Sequence, residues 1–172
     1  MRKNMSIVII VVIIAVLCLV FFSMKNRDAV NEGDNQSDVE FFKQIISVEN
    51  SALIEEGKYD ELSKAFEPYC NERGLDVVMS NREIRYNYDF IDDYNIKDYK
   101  DLSVELLDES ADNATVFREY KIEYTYIDTD GKEYKMTDYY NLNVKDGKID
   151  YVKLDTSKSS ISNTKEWIGN IG

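Results

Sequence analysis

The chain has 172 residues, with 33 Asp and Glu against 21 Lys and Arg, a net charge of −12 and no histidine. The lack of histidine excludes Ser-His-Asp and Cys-His nucleophile systems and every metal site that uses imidazole. Nucleic-acid binding needs clustered Lys and Arg to displace counterions, and because the basic residues form no such cluster, nucleic acid is excluded as a partner.

The chain opens with a near-unbroken apolar run, SIVIIVVIIAVLCLVFFSM, residues 6–24. A membrane-spanning helix needs roughly 20 apolar residues, and this run reaches that length. Lipidation of Cys18 is not expected, because Leu17 stands where lipoprotein processing needs a small residue and the apolar LVFF follows. No A-x-A-like cleavage site closes the run. We therefore predict that residues 1–24 are an uncleaved transmembrane signal anchor, which enters the membrane through residues 6–24.

The flanks of this anchor suggest its orientation. Arg2 and Lys3 precede the span while Lys25 and Arg27 follow it, so the positive charges nearly balance. The acidic segment that comes next, and the single remaining cysteine, which has no partner for an internal disulfide, favour export. We predict a single-pass protein of the cell membrane with an extracytoplasmic C-terminal domain. The polar residues 25–37 are predicted to be a flexible linker.

Three helices are predicted after the linker. The first begins at a capping box formed by Ser37 and Glu40, continues at helical spacing and ends at Gly57. The second is YDELSKAF, residues 59–66, with its apolar residues on one face. A second capping box, SNRE at residues 80–83, starts the third.

After the third helix the apolar residues alternate with a period of two, which is typical of strands. Four strands are predicted, LSVELLDE, TVFREYKIEYTYID, KEYKMTDYYNLNV and KIDYVKL, at residues 102–109, 115–128, 132–144 and 148–154. Short turns at ADN, TDG and KDG make neighbouring strands antiparallel. The order predicts an α+β fold in which helices pack on an antiparallel meander.

The two central strands specify their own register. Tyr124 belongs to the apolar face of the first strand and Met136 to that of the second. A two-residue turn would place these faces on opposite sides of the sheet, because opposite residues point the same way. A three-residue turn at 129–131, with Gly131 as a left-handed bulge, brings the two apolar faces together.

This order of segments, with its EEGKYDEL turn, MSNREI segment and terminal VKDGKIDYVKLD hairpin, resembles the NTF2-like, cystatin-like superfamily. It is most similar to the small membrane-anchored members exported by Firmicutes, although Ile149 stands where such relatives often have Trp. The resemblance covers the domain, residues 38–155, and leaves residues 156–172 as a polar C-terminal tail. It implies a curved antiparallel sheet wrapped around the helices, an NTF2-like cone that is either a pocket or a filled core. Related folds serve as assembly domains of conjugation channels.

One carboxylate is a candidate for chemistry. The predicted register puts Asp138 on the apolar face, near Tyr120, Tyr124 and Arg118 of the neighbouring strand. Ketosteroid-isomerase-like members of the resembled superfamily use an interior carboxylate as base and a tyrosine hydroxyl as oxyanion donor. Two structural interpretations are favoured over catalysis: a bulge at Asp138 and Tyr139 turns the carboxylate to water, or Arg118 neutralises it.

Other polar groups indicate no chemistry. Cys70 has no imidazole to lower its pKa and is expected to be a structural thiol. The DTDG loop lacks the first acidic ligand of an EF-hand, since that position is Tyr126, and is expected to be a turn. We predict no metal and no cofactor.

The leading functional hypothesis is a membrane-anchored, extracytoplasmic, non-enzymatic domain that binds an envelope protein or a second copy of itself. Tyr139, on the sheet face opposite Tyr140, is a candidate interface residue because interfaces favour aromatic contact area. The alternative is a small-molecule-binding or isomerase-like cone that uses the interior carboxylate of Asp138.

Overall fold

The structure, a computed structural model, describes residues 36–80 and 85–162. The predicted anchor with Cys18, nearly all of the linker and most of the SNRE capping box lie outside these ranges. The chain divides into two compact units, Met1–Asp38 and Val39–Gly172, and the fold given below is that of the second. Within the described ranges, no helix has both the length and the apolar character that crossing a bilayer requires.

The described ranges contain five complete or nearly complete helices, a helical stretch at residues 160–162, and one antiparallel sheet of four strands in the order β1-β2-β3-β4. The helices are α1 (residues 36–45), α2 (Val48–Glu55), α3 (Tyr59–Phe66), α4 (Glu72–Ser80) and α5 (Arg85–Asp93). The strands are β1 (Ile96–Asp112), β2 (Thr115–Asp128), β3 (Glu133–Lys145) and β4 (Lys148–Leu154). The α+β class is confirmed, and α3, β2 and β4 have their predicted bounds.

The prediction of one continuous first helix is wrong. The backbone is extended at Ser47 (φ −70°, ψ 127°), and the Ser47 hydroxyl accepts a hydrogen bond from the Asn50 N–H at 3.3 Å, which starts α2. Nδ2 of Asn50 donates to the carbonyl of Gln44 at 2.9 Å and satisfies a carbonyl at the end of α1. Ser37 lies inside α1 and is not its cap. The capping residue of this region is therefore Ser47.

The predicted register of the central hairpin is confirmed. Tyr124 pairs with Met136 and Tyr126 with Tyr134, without a register shift anywhere between β2 and β3. The Asp128 N–H donates to the carbonyl of Lys132 at 3.0 Å, so the loop has three residues. Its last residue, Gly131, has φ +85°, as the bulged turn requires.

Helix α4 was not among the predicted helices. Its N-terminus is capped by Asn71, whose Oδ1 accepts from the Gly74 N–H at 2.9 Å. A Cβ at Gly74 would lie 2.0 Å from the carbonyl oxygen of Ile149 in β4, so only glycine permits this close approach. The residue that weakens the helix pattern in the sequence is therefore the one that lets α4 pack on β4.

The core lies between the helices and one face of the sheet, the face of the even-numbered residues of β2 and β3. The Phe42 ring of α1 lies 5.3 Å, centroid to centroid, from the rings of both Tyr120 and Tyr140. These three side chains and Phe66 of α3 are buried to 2% exposure or less. Since Asp138 shares this face, the fold carries its carboxylate into the core.

Candidate functional site

Asp138 is the centre of the candidate site, and its side chain is fully buried (0% exposed). The residue lies on β3 opposite Ile122 of β2, at a regular position of the ladder. Oδ2 accepts a hydrogen bond from the Tyr124 hydroxyl at 2.7 Å, and Oδ1 accepts one from the Ile161 backbone N–H at 3.0 Å. Both carboxyl oxygens are thus engaged by groups of the protein.

A chain of buried polar groups continues from Tyr124. Its hydroxyl also lies 2.7 Å from Oδ1 of Asn87 in α5, while Nδ2 of Asn87 donates to the Tyr140 hydroxyl at 3.0 Å. The Tyr126 hydroxyl donates to the carbonyl of Ile46 at 3.2 Å. This network joins α5 and the end of α1 to the sheet. Among the described residues, no buried side-chain nitrogen or oxygen lacks a hydrogen-bond partner.

Burial governs the titration of this network. It raises the pKa of Asp138 above its ordinary value, and the hydrogen bonds from Ile161 and Tyr124 only partly offset that increase. Burial, followed by the negative charge of Asp138, raises the pKa of Tyr124 well above its ordinary value. Both shifts favour the neutral forms, because burial disfavours the charged form of a titratable group.

The structure does not bring Arg118 to Asp138. Nε of Arg118 donates to Oε2 of Glu109 on β1 at 2.8 Å. Arg118 lies opposite Leu142 and Asp138 opposite Ile122, so the two are four positions apart along β2, or about 13 Å at the usual rise of a strand. Tyr120 contributes its ring to the core beside Phe42 and Tyr140. Of the three predicted neighbours, Tyr124 is the one hydrogen-bonded to the carboxylate.

The site contains residues that the sequence reasoning missed, in the C-terminal segment 155–162. β4 extends along β3 only as far as Tyr140, and this segment continues along the remaining edge. The hydroxyls of Ser159 and Ser160 accept from the backbone N–H groups of Tyr139 and Thr137, at 2.9 and 3.0 Å. Ser159 and Ile161 are fully buried. The signal in the sequence is a single apolar residue, Ile161, within a polar stretch.

Tyr139 lies on the opposite face of the sheet, where its side chain is half-buried. The ammonium group of Lys158, from the C-terminal segment, lies 5.7 Å from the centroid of the Tyr139 ring. Cys70 is a buried free thiol, and burial raises its pKa to about 12. A thiol with such a pKa is unreactive near neutral pH.

Two neighbouring open clefts are lined entirely by described residues, with volumes of about 300 and 380 Å³, and Val48 contributes to both. The smaller includes Glu55 and Asp92, and a hydrogen bond between these two carboxyl groups raises the pKa of Glu55. Asp138 belongs to neither cleft. Within residues 36–80 and 85–162, no cluster of three Asp, Glu or Cys side chains could hold a metal ion.

The comparisons with known proteins give no relative. No protein family matches the chain, and neither a curated protein nor a solved structure is significantly similar to it. The functional conclusion therefore depends on the residues and their geometry alone.

Proposed function

We propose that this protein is a membrane-anchored, extracytoplasmic, non-enzymatic binding domain with an NTF2-like architecture. Its partner is an envelope protein or a second copy of the chain. The apolar run at residues 6–24 has the length of a membrane span, and the acidic chain that follows has no basic cluster for nucleic acid.

The proposal rests on the burial of the Asp138 side chain and on the hydrogen bonds that its carboxyl group accepts. A catalytic base must reach a substrate proton at hydrogen-bond distance, and an interior binding site needs volume beside its polar groups. The oxygens of Asp138 instead accept from Tyr124 and Ile161, and its side chain has no exposed surface. The Phe42 ring packs on the ring of Tyr140, two positions along β3 from Asp138, with the centroids 5.3 Å apart. This arrangement favours a structural carboxylate and a function located on the surface.

The rival function, a small-molecule-binding or isomerase-like cone, receives less support. It would require a substrate to displace the Tyr124 hydroxyl or the Ile161 N–H from Asp138, at a cost of about 1–3 kcal/mol for each buried group left unpaired. Of the clefts lined entirely by described residues, the two at Val48 offer volume, and Asp138 lines neither of them.

The test is photo-crosslinking of the full-length protein in intact cells. A photoreactive residue is placed in turn at three exposed or half-buried positions, Tyr59, Phe117 and Tyr151, and at the buried control Leu142. The proposal predicts a discrete adduct, either with one envelope protein or with a second copy, from at least one surface position and none from Leu142. Protease added outside the cells should remove the domain. A domain that yields no adduct from any surface, or that survives external protease, would contradict the proposal.

A further inference from the structure

The sheet ends at an edge strand, β1. Among the strands of the described residues, β1 lies at the end of the sheet and pairs with β2 alone. The first part of this edge is irregular, with register shifts near Lys97, Asp101 and Leu107 and contacts from α2 and α5. Bulges of this kind protect an edge from pairing. The last part, Asp108–Asp112, runs in regular register with β2 and is exposed throughout.

The outer face of this regular part has a distinctive arrangement. Ser110 lies opposite Phe117 of β2, so the two side chains share one face. The Phe117 side chain is 40% exposed, which is unusual for a large apolar residue in this fold. Asp108 and Asp112 lie two positions before and after Ser110 and therefore on the same face. A small residue is thus flanked along the edge by two carboxylates, with an exposed ring behind it.

We propose that Asp108–Asp112 accepts an extended segment of a partner protein as an added strand, with an Arg or Lys of that segment opposite Ser110. This inference rests on the proposed binding function and names its surface and the chemistry of its partner. The backbone groups of β1 that point away from β2 would supply the hydrogen bonds, and the side chains around Ser110 would supply the specificity.

An Arg or Lys opposite Ser110 is inferred from the charge of the neighbouring carboxylates and from the small size of Ser110. Directly opposite Ser110, a side chain has Asp108 and Asp112 as diagonal neighbours, about 7–8 Å away between α-carbons and within reach of long side chains. Neighbouring strands are about 4.8 Å apart, and Ser110 is small, so a guanidinium or ammonium group can extend over it to the Phe117 ring. A cation within about 6 Å of a ring centroid is attracted by its quadrupole.

Charge also argues against a second copy as the occupant. An antiparallel pair of β1 strands centred on Ser110 would place Asp108 of each copy opposite Asp112 of the other. Like charges directly opposite on a sheet are destabilising. Two cations of the chain near this edge, Arg118 and Lys158, already pair with Glu109 at 2.8 Å and with Glu119 at 3.3 Å. The occupant is therefore a basic segment of a different protein.

The experiment uses the full-length protein and a fluorescent seven-residue peptide of alternating valine and arginine, with binding followed by fluorescence anisotropy. Ser110→Lys places a cation of the chain itself between the two carboxylates and should weaken peptide binding roughly tenfold, equivalent to about 1.4 kcal/mol. Ser103→Lys is the matched control, because Ser103 is also exposed on β1 and lies on the same face, opposite Glu123. It adds the same charge to the irregular part of the edge and should retain the wild-type affinity.

Two further measurements separate strand addition from simple charge attraction. The same peptide with every backbone nitrogen methylated keeps its charge but has no donors, and it should not bind. Amide hydrogen exchange should slow within Asp108–Asp112 when the unmodified peptide is added. Equal weakening by Ser110→Lys and Ser103→Lys, or full binding of the methylated peptide, would overturn the inference. Cell adducts from Tyr151 but none from Phe117 would also overturn it, while leaving the proposed binding function intact.

Discussion

Oδ1 of Asp138 accepts a hydrogen bond from the backbone N–H of Ile161 at 3.0 Å, and this contact attaches the C-terminal segment to the middle of the sheet. Oδ2 of the same carboxyl group accepts from the Tyr124 hydroxyl, which also lies beside Asn87 of α5. The Asp138 side chain therefore joins β3 to β2 and to the C-terminal segment, and the Tyr124 hydroxyl extends this connection to α5. We therefore expect an architectural role for this carboxyl group.

Asp138→Asn should preserve the fold, whereas Asp138→Ala should not be tolerated equally well. Asparagine retains an oxygen for the Ile161 N–H, and its NH₂ group can donate to the Tyr124 oxygen while Tyr124 donates to Asn87. We expect the free energy of unfolding to change by less than about 1 kcal/mol in Asp138→Asn and to fall by about 2 kcal/mol or more in Asp138→Ala. Urea denaturation measures both. An equal loss in the two variants would show that the network needs the carboxylate itself.

The contribution of Asp138 to the free energy of unfolding should fall as the pH rises, as expected for a buried acid with a raised pKa. Because burial raises the native pKa of Asp138 above that of the unfolded chain, the native state binds the proton more tightly. The stabilisation is complete below the unfolded pKa and is lost as the pH rises through the native pKa. The free energy of unfolding of the wild type, minus that of Asp138→Asn, should therefore fall as the pH rises from about 4 to 8. A difference that rises with pH would mean that the native pKa is lowered.

The C-terminal segment should stabilise the uncovered edge of β3. Ile161 is fully buried, and Ile161→Ala should lower the free energy of unfolding by about 2–4 kcal/mol. Hydrogen exchange should also accelerate at the amides of Thr137 and Tyr139, which donate to Ser160 and Ser159. Thr156→Ala, at an exposed position of the same segment, is the control and should leave these amides protected. If hydrogen exchange at these two amides is unchanged in Ile161→Ala, the C-terminal segment does not stabilise this edge of β3.

Gly74→Ala tests the packing of α4 on β4. In an exposed helix interior this substitution stabilises by about 1 kcal/mol. Here the added Cβ would lie 2.0 Å from the Ile149 carbonyl oxygen, so the backbones must separate. We expect a net loss of about 1–3 kcal/mol in thermal or urea unfolding. Asp76→Ala, at an exposed position of the same helix, should show no such loss. A stabilised Gly74→Ala would contradict the close contact.

The anchor prediction concerns the residues before the described ranges. Retention of residues 1–24 and an unmodified Cys18 predict that the mass of the membrane-extracted protein equals that of the full sequence. Loss of the first 17 residues, together with the mass of a diacylglycerol group on Cys18, would identify a lipoprotein instead.

Prediction from the sequence succeeded where the alternation of apolar residues and the residues of a turn specify the same structure. Gly131 determines a three-residue turn, and the turn determines which faces of β2 and β3 meet, so the inward orientation of Asp138 followed from local rules. The break at Ser47 was missed because apolar residues continue at helical spacing across it. The cap becomes evident only when Asn50 is seen to satisfy the carbonyl of Gln44.

The features that were not predicted from the sequence depend mainly on tertiary contacts and on local bulges. α4 is stabilised by packing against β4, and tertiary packing of this kind overrides the weak propensity that Gly74 gives the helix. β1 begins earlier than predicted because bulges near Asp101, whose backbone is left-handed (φ 57°), interrupt the period of two. The partners of Asp138 could not be predicted, because Ile161 is distant in sequence and its contact is made by a backbone N–H.

The central claim is that the domain acts through its surface and that its interior carboxylate is structural. The most direct test repeats the cell photo-crosslinking in Asp138→Asn, from the surface position that gives an adduct in the wild type, with the unfolding midpoint measured on the same protein. The account predicts an adduct of the same identity and yield as in the wild type, at a nearly unchanged midpoint. Loss of the adduct at an unchanged midpoint would place Asp138 in the functional site and contradict the account.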